Sequence, residues 1–376
     1  MPLIHNSRLV RATHLLSLLA VAFGLQACGH AEAAPPAVPM EVVMQTVRSY
    51  GGGHQGTPAP ALSDLPDTSE ATYVDHVLSL LDQGNYAELE SIARTNRLER
   101  GRFAAGDWRN NSFFNAVVWV SPGSVPKDSD YQQQIEKLKK WQAARPDSAA
   151  AKIALAKLYD QYADFARGTG YADSVSDKQW RQYQVRTALA KQALLEAAAL
   201  KERDPHWYLI MQDIAHNEGW EKADARELLD QALAFEPDYF HYYRVYSIYL
   251  LPQWYGDPGE ISAFAKQVAA KHPEPAGSIL YFQIMSTLSC YCQRDIEQLK
   301  TTADWQQLQL GFANLQAGYG LSDLNANRFA EMATVFGDKP VAREAFSHVG
   351  QRNTAVWLTE DSFQWARSWA NSPGNQ

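Results

Sequence analysis

Cysteine is scarce in this chain, with three among 376 residues. One of them, Cys28, closes the N-terminal apolar stretch, and the other two, Cys290 and Cys292, stand one residue apart. That excludes a disulfide framework, because a bridge between such close neighbours would be strained. A Cys-x-Cys metal site would need further Cys or His ligands, and no nearby segment supplies them. Cys290 and Cys292 are therefore read as buried, unpaired helix residues. Basic charge is also in short supply: 34 Lys and Arg stand against 42 Asp and Glu, a net charge of -8. The basic face that a phosphate backbone requires is missing, which argues against nucleic acid as a partner. The N-terminal apolar run, Leu15 to Leu25, has 11 residues, well short of the roughly 20 that a spanning helix needs. Short catalytic motifs are absent too: no H-E-x-x-H, no G-x-S-x-G, no G-x-x-x-x-G-K-[ST] and no G-x-G-x-x-G after a strand. No catalytic, metal or cofactor-binding residue is assigned, and no cofactor is expected. Period-two alternation is almost absent beyond residue 70, which excludes a sheet-built fold.

What is present begins with an address. Arg8 and Arg11 precede the apolar run with no acidic residue among them, and the run leads to Leu25-Gln26-Ala27-Cys28. A basic start, an apolar core of about 7–15 residues and a small residue before the cut make a secretory signal. The last four residues resemble the lipobox of bacterial lipoproteins, which implies that the Cys28 thiol carries diacylglycerol once residues 1–27 are removed. Membrane lipid held through Cys28 is then the first expected partner, since two acyl chains give durable attachment. Gly29, in place of the Asp associated with inner-membrane retention, points to a lipid-anchored protein of the bacterial cell envelope, on the outer membrane facing the periplasm. Residues 28–69 are rich in Ala, Pro and Gly and read as a flexible tether of roughly 35 Å, with Met40 to Val47 able to fold locally.

From residue 70 the periodicity is helical. Trp207, Ile210, Met211, Ile214 and Ala215 fall at i, i+3, i+4, i+7 and i+8 and form one apolar stripe. Ala225, Leu228, Leu229 and Ala232 repeat it, as do Tyr239, Tyr242, Tyr243, Tyr246 and Tyr249, and then Ile261, Phe264, Ala265, Val268 and Ala269. Asp204-Pro205 gives a helix start by cap and first-turn proline, and Asp257-Pro258 repeats that signal. Pro205, Pro237 and Pro273 are spaced by 32 and 36 residues, Pro340 follows 67 further on, and Pro146 precedes Pro205 by 59. The spacing suggests a helix-pair repeat with an insertion of about 25 residues after Pro146.

Between Pro205 and Pro237 the chain resembles a tetratricopeptide unit. Ile214-Ala215 stands where that family has Leu-Gly, and Ala225, Leu229, Ala232 and Pro237 follow its A-x3-F-x2-A-x4-P spacing. Leu229 replaces the aromatic, and the family's early Trp and Tyr are not matched. Over about residues 73–370 the chain also resembles an uncharacterised bacterial group, the domain-of-unknown-function family 4034. Four passages carry that likeness: Leu80 to Tyr86 with Leu89-Glu90; Tyr162 with Ala166 to Gly170; Asp204 to Tyr208 with Gly219-Trp220; and Glu236 to Tyr239 with Leu250 to Gly256. The resemblance implies architecture and no particular activity. The expected fold is all-α, a tetratricopeptide-like helical-repeat solenoid. Its divisions are an N-terminal helical subdomain over 70–125 and a repeat array over 126–372, with an inserted loop near 166–182.

Candidate binding residues are few. Arg167 lies in the Gly-rich loop Ala166 to Gly170, where a cation could meet a ligand carboxylate or phosphate. Trp254, Tyr255 and Asp257 could set aromatic rings and a charge on a groove rim. A structural ion pair for Arg167 and core packing for the rings are the plainer alternatives. His206 and His216 share a helix ten residues apart, about 15 Å along its axis, and cannot share a metal. Asp213 and His216, at i and i+3, could form a dyad, though a surface hydrogen bond or cap is the usual meaning of such a pair. Glu218 and Glu236 read as solvated charges at helix ends, and the tyrosine series reads as a packed face. Together these features suggest a non-enzymatic, membrane-tethered scaffold that binds a protein or peptide. The alternatives are an enzyme acting on a cell-envelope polymer and a purely structural spacer.

Overall fold

The helix boundaries in the computed structural model follow from local capping chemistry. The structure describes residues 33–52, 69–120, 125–291 and 298–373. Among them are seventeen α-helices and no strand, so the chain is all-α as expected. They are α1 (Met40–Tyr50), α2 (Glu70–Gln83), α3 (Tyr86–Glu99), α4 (Arg109–Val117), α5 (Asp128–Ala144), α6 (Ala149–Arg167), α7 (Asp177–Ala198), α8 (Pro205–Glu218), α9 (Lys222–Phe235), α10 (His241–Tyr249), α11 (Glu260–Lys271), α12 (Ala276–Tyr291), α13 (Gln298–Thr302), α14 (Trp305–Tyr319), α15 (Asp323–Phe336), α16 (Lys339–Ser347) and α17 (Glu360–Asn371).

Ser148, Ser176, Asp204, Asp304 and Ser322 each accept a first-turn backbone N–H at the start of α6, α7, α8, α14 and α15. These caps satisfy donors that a helix start otherwise leaves unpaired. At α11 the expected cap differs: Gly259 takes the N-cap position, while Asp257 accepts from Lys222 Nζ at 2.9 Å.

The apolar stripes read from the sequence all face inward. Trp207, Ile210, Met211, Ile214 and Ala215 on α8, Leu228, Leu229 and Ala232 on α9, and Ile261, Phe264 and Val268 on α11 are buried. One hydrophobic core runs from Val43 to Ala370. It shows no break at residue 125, where the sequence suggested a division: α2 packs on α5, and α4 packs on α6 and α8. Neighbouring helices pair along the chain as α5 with α6, α6 with α7, α8 with α9, α11 with α12 and α15 with α16. A second set of contacts links alternate helices, α6 to α8, α8 to α10 and α10 to α12.

Two regions depart from the sequence reading. Within the stretch read as a tether, Met40 to Val47 is able to fold locally; the helix there, α1, runs on to Tyr50 and is docked rather than free, with Val43, Met44, Val47 and Tyr50 buried against α7 and α9. Tyr50 stacks on Trp207 with centroids 4.1 Å apart, and Tyr208 Oη donates to the Val47 carbonyl at 3.0 Å. Burying such side chains contributes about 1.5–3 kcal/mol each, which offsets part of the backbone entropy lost when the segment is ordered as a helix.

The expected insertion near 166–182 is also smaller as a loop. Only residues 168–176 separate α6 from α7, and the extra length sits in the helices themselves, 19 and 22 residues against 14 each in α8 and α9. Pro146, Pro205, Pro237 and Pro273 stand at or just before α6, α8, α10 and α12, whereas Pro340 lies in the first turn of α16. The signal segment, Cys28 and Cys292 lie outside the described residues. No helix among the described residues is long and apolar enough to cross a membrane.

Candidate functional site

Four chain segments converge at one end of the α6, α7, α8 and α10 group. The first is the C-terminus of α6, where Gly168 (φ 71°) turns the chain out of the helix and leaves Arg167 in the last turn. The second is the start of α7, fixed by a reciprocal Ser176 and Gln179 capping box, which brings in Trp180 and Tyr183. The third is the end of α8, with His216 and Asn217 before a left-handed Gly219. The fourth is the turn after α10 that carries Trp254 and Tyr255. Only glycine fits at residue 256, because a Cβ there would sit 1.8 Å from the Leu250 carbonyl oxygen. Gly219 allows a second close approach, since its Cβ position lies 3.0 Å from Tyr255 Oη.

At this junction the Arg167 guanidinium lies 5.7 Å from the Trp180 ring centroid and 5.4 Å from that of Trp254. Its Nη1 donates to the carbonyls of Gly168 and Gly170 at 3.1 and 3.4 Å. Cation–π contacts of this kind hold the head group in place while leaving donors open. His216 meets Trp254 edge-on at 4.6 Å, and Tyr255 Oη donates to the His216 carbonyl at 2.9 Å. Trp254 is 37% exposed, so the cluster faces solvent. Burial holds the His216 imidazole below its ordinary range, with Arg167 acting in the same direction and the Asn217 hydrogen bond opposing.

Beside this aromatic frame lies a set of carboxyl groups. Asp160 accepts from Asn217 Nδ2 at 2.9 Å, and Tyr183 Oη donates to the Asn217 carbonyl at 3.3 Å. Burial, then the charges of Asp213 and Asp164, raise Asp160 well above the carboxylate range. Asp213 is pushed up to about 7 by burial, against the pull of Lys157. Asp164 is raised to about 6, also by the protein packed around it, although solvent reaches its side chain. Lys157 is lowered by the same burial and raised by Asp213 and Asp160. Perturbed groups of this kind mark candidate sites.

Of the four groove residues named from the sequence, the structure brings Arg167, Trp254 and Tyr255 together through His216. Asp257 belongs elsewhere, bonded with Glu260 to Lys222 at the entry to α11. The Asp213 and His216 pair is not a dyad, since His216 Nδ1 lies 3.2 Å from Asn217 Oδ1 and Asp213 is in the carboxyl set with Lys157. Glu236 is not a solvated charge either; it is buried against Arg100 at 2.8 Å and raised to about 7 by that burial. Glu218 forms an ion pair with Lys191 at 2.6 Å. The tyrosine series is a packed face as expected, all five members being buried.

The residues missed were Lys157, Asp160 and Asp164. Their signal was available: with Arg167 they fall at i, i+3, i+7 and i+10, one charged line along a helix whose other residues, Lys152 and Gln161 apart, are apolar or aromatic. No family model, curated protein or solved structure matches this chain.

Proposed function

We propose that this chain is a lipid-anchored, non-enzymatic scaffold of the bacterial envelope that binds a protein or peptide at the Arg167 site. In this reading it is a tetratricopeptide-like solenoid of the kind the family 4034 resemblance implies. The succession of α4, α6, α8, α10 and α12, each packed on a later member of that row, supports an inner layer of stacked helices. Repeat arrays bury their apolar faces by such stacking and present an inner surface to ligands.

The observation that carries the proposal is the state of Arg167. It is framed by two indoles and reached by solvent, and its hydrogen bonds among the described residues use Nη1 alone, on carbonyls of its own loop. The open edge suits a carboxylate or phosphate, and the exposed Trp254 and Tyr255 rings suit an adjacent apolar side chain. Affinity capture from solubilised envelope tests this. The full-length protein is expected to recover a reproducible partner that Arg167→Ala loses; recovery of the same set by both proteins contradicts the assignment. The anchor has a separate test. Cys28→Ser is expected to abolish lipid labelling and leave the protein released or unprocessed, and labelled lipid retained on that variant contradicts it.

A second reading is favoured by one observation, the elevated Asp213 and Asp164 carboxyls beside a solvent-facing aromatic cluster. Groups poised near 7 and 6 suit general acid–base work on an envelope polymer. Asp213→Asn would abolish such an activity while leaving partner capture intact. A structural spacer, the remaining alternative, would tolerate charge reversal at Arg167.

A further inference from the structure

A cavity of about 500 Å³ adjoins the Arg167 site, between the segment leading into α1, one side of α7 and the end of α8. Its size falls within the roughly 300–1,000 Å³ of sites that hold small ligands. Trp180, Tyr183 and Trp220 line it, from the start of α7 and the residue after Gly219. Val38 and Met40 add apolar surface from the other side, and Gln184 and Asn217 add amides.

The electrostatics restrict the occupant. Lys191 Nζ donates to both Glu218 carboxylate oxygens, at 2.6 and 2.9 Å, and Trp220 Nε1 donates to Glu218 Oε2 at 3.0 Å. The two wall charges are therefore spent on each other. A charged ligand would gain no uncompensated partner here and would lose its hydration, which is costly. A purely apolar ligand would cover the amides and the ion pair, with a similar penalty. One wall residue still lacks a partner: Thr187 is 3% exposed, and its Oγ1 has no hydrogen bond among the described residues. Flat aromatic faces, amides and a neutralised ion pair together suit a ligand with apolar ring C–H groups and peripheral hydroxyls.

We propose that this cavity binds a neutral sugar ring. The proposal goes beyond partner binding at Arg167 and stands independently of it, although Trp180, Tyr183 and Asn217 border both places. Two lining tryptophans make intrinsic fluorescence a direct probe. The purified full-length protein, in detergent, is titrated with glucose, maltose, N-acetylglucosamine and its β-1,4-linked dimer, and separately with decanoate and glucuronate. At least one neutral sugar is expected to give a saturable change, with affinity on the order of millimolar or tighter. Trp180→Ala should weaken it tenfold or more, and Thr187→Val, which removes only the hydroxyl, severalfold. Trp365→Ala, on the exposed face of α17, should leave it unchanged. Saturation-transfer NMR on the same samples reads the sugar directly, so loss of fluorescence alone does not count as loss of binding. No saturable response to any of the neutral sugars would overturn the proposal, as would tighter binding of decanoate or glucuronate, or sugar binding indifferent to both cavity variants.

Discussion

Two lines of regularly spaced polar side chains have opposite fates in this molecule. The tyrosines around α10 and the charged residues of α6 both recur at helical spacing. The tyrosine line is buried, and four of its five hydroxyls find protein partners among the described residues: Tyr239 Oη lies 3.0 Å from His206 Nδ1, Tyr242 donates to the Pro205 carbonyl at 2.8 Å, Tyr243 Oη lies 3.3 Å from His272 Nε2, and Tyr249 donates to the Trp220 carbonyl at 2.5 Å. The α6 line, Lys157, Asp160, Asp164 and Arg167, ends at solvent with protonation equilibria displaced and an arginine edge open. The difference teaches that spacing locates a helix face, whereas the completeness of its hydrogen bonding separates a packed face from a candidate site.

The largest test of that contrast is Tyr242→Ala. Tyr242 is 0% exposed, and removing a buried aromatic of this size is expected to cost about 3–5 kcal/mol, read as a lowered urea midpoint. A loss below about 1 kcal/mol would mean that the tyrosine line is not the core it is taken to be.

Next in size is a pH effect from the interior of α15. Glu331 accepts from the Ser289 hydroxyl and is pushed up to about 8, first by burial, with Ser289 and Arg328 opposing. The folded state thus holds this proton more tightly than the unfolded chain, whose ordinary value is 4.5. Stability from this group is fully present below that value and is lost as pH rises toward 8. The slope is at most about 1.4 kcal/mol per pH unit. Glu331→Gln should flatten the stability profile between those limits relative to the native protein. An unchanged profile would contradict the burial of Glu331.

The smallest expected effect is on the other line. Arg167→Ala and Trp254→Ala should each change stability by less than about 1 kcal/mol, because both side chains are partly solvated and bridge no distant core residues. A loss of several kcal/mol on calorimetry would recast Arg167 as a structural strut.

The helical class, the stripes of α8, α9 and α11 and the Asp204 cap were legible because each depends on residues within one turn of each other. Burial that depends on distant partners was not. Glu236 is neutralised by Arg100 and α1 is anchored by Trp207 and Tyr208, all remote in sequence. Half of the site was readable: Arg167, Trp254 and Tyr255 were singled out from loop composition. Asp257 was misplaced because Lys222 competes for it. The α6 carboxyls went unnoticed because a charge on a helix ordinarily means a solvated face, and it is the neighbouring α8, with Asp213 and Asn217, that packs against this one.

Recognition is proposed to take place where Arg167 meets Trp254. Its most direct test is in-cell photocrosslinking from a photoreactive residue placed at 254, compared with one at 365 on α17. A discrete adduct from position 254 that disappears with Arg167→Ala, and is not formed from 365, is the expected result. No adduct at 254, or the same adducts from both positions, would contradict it.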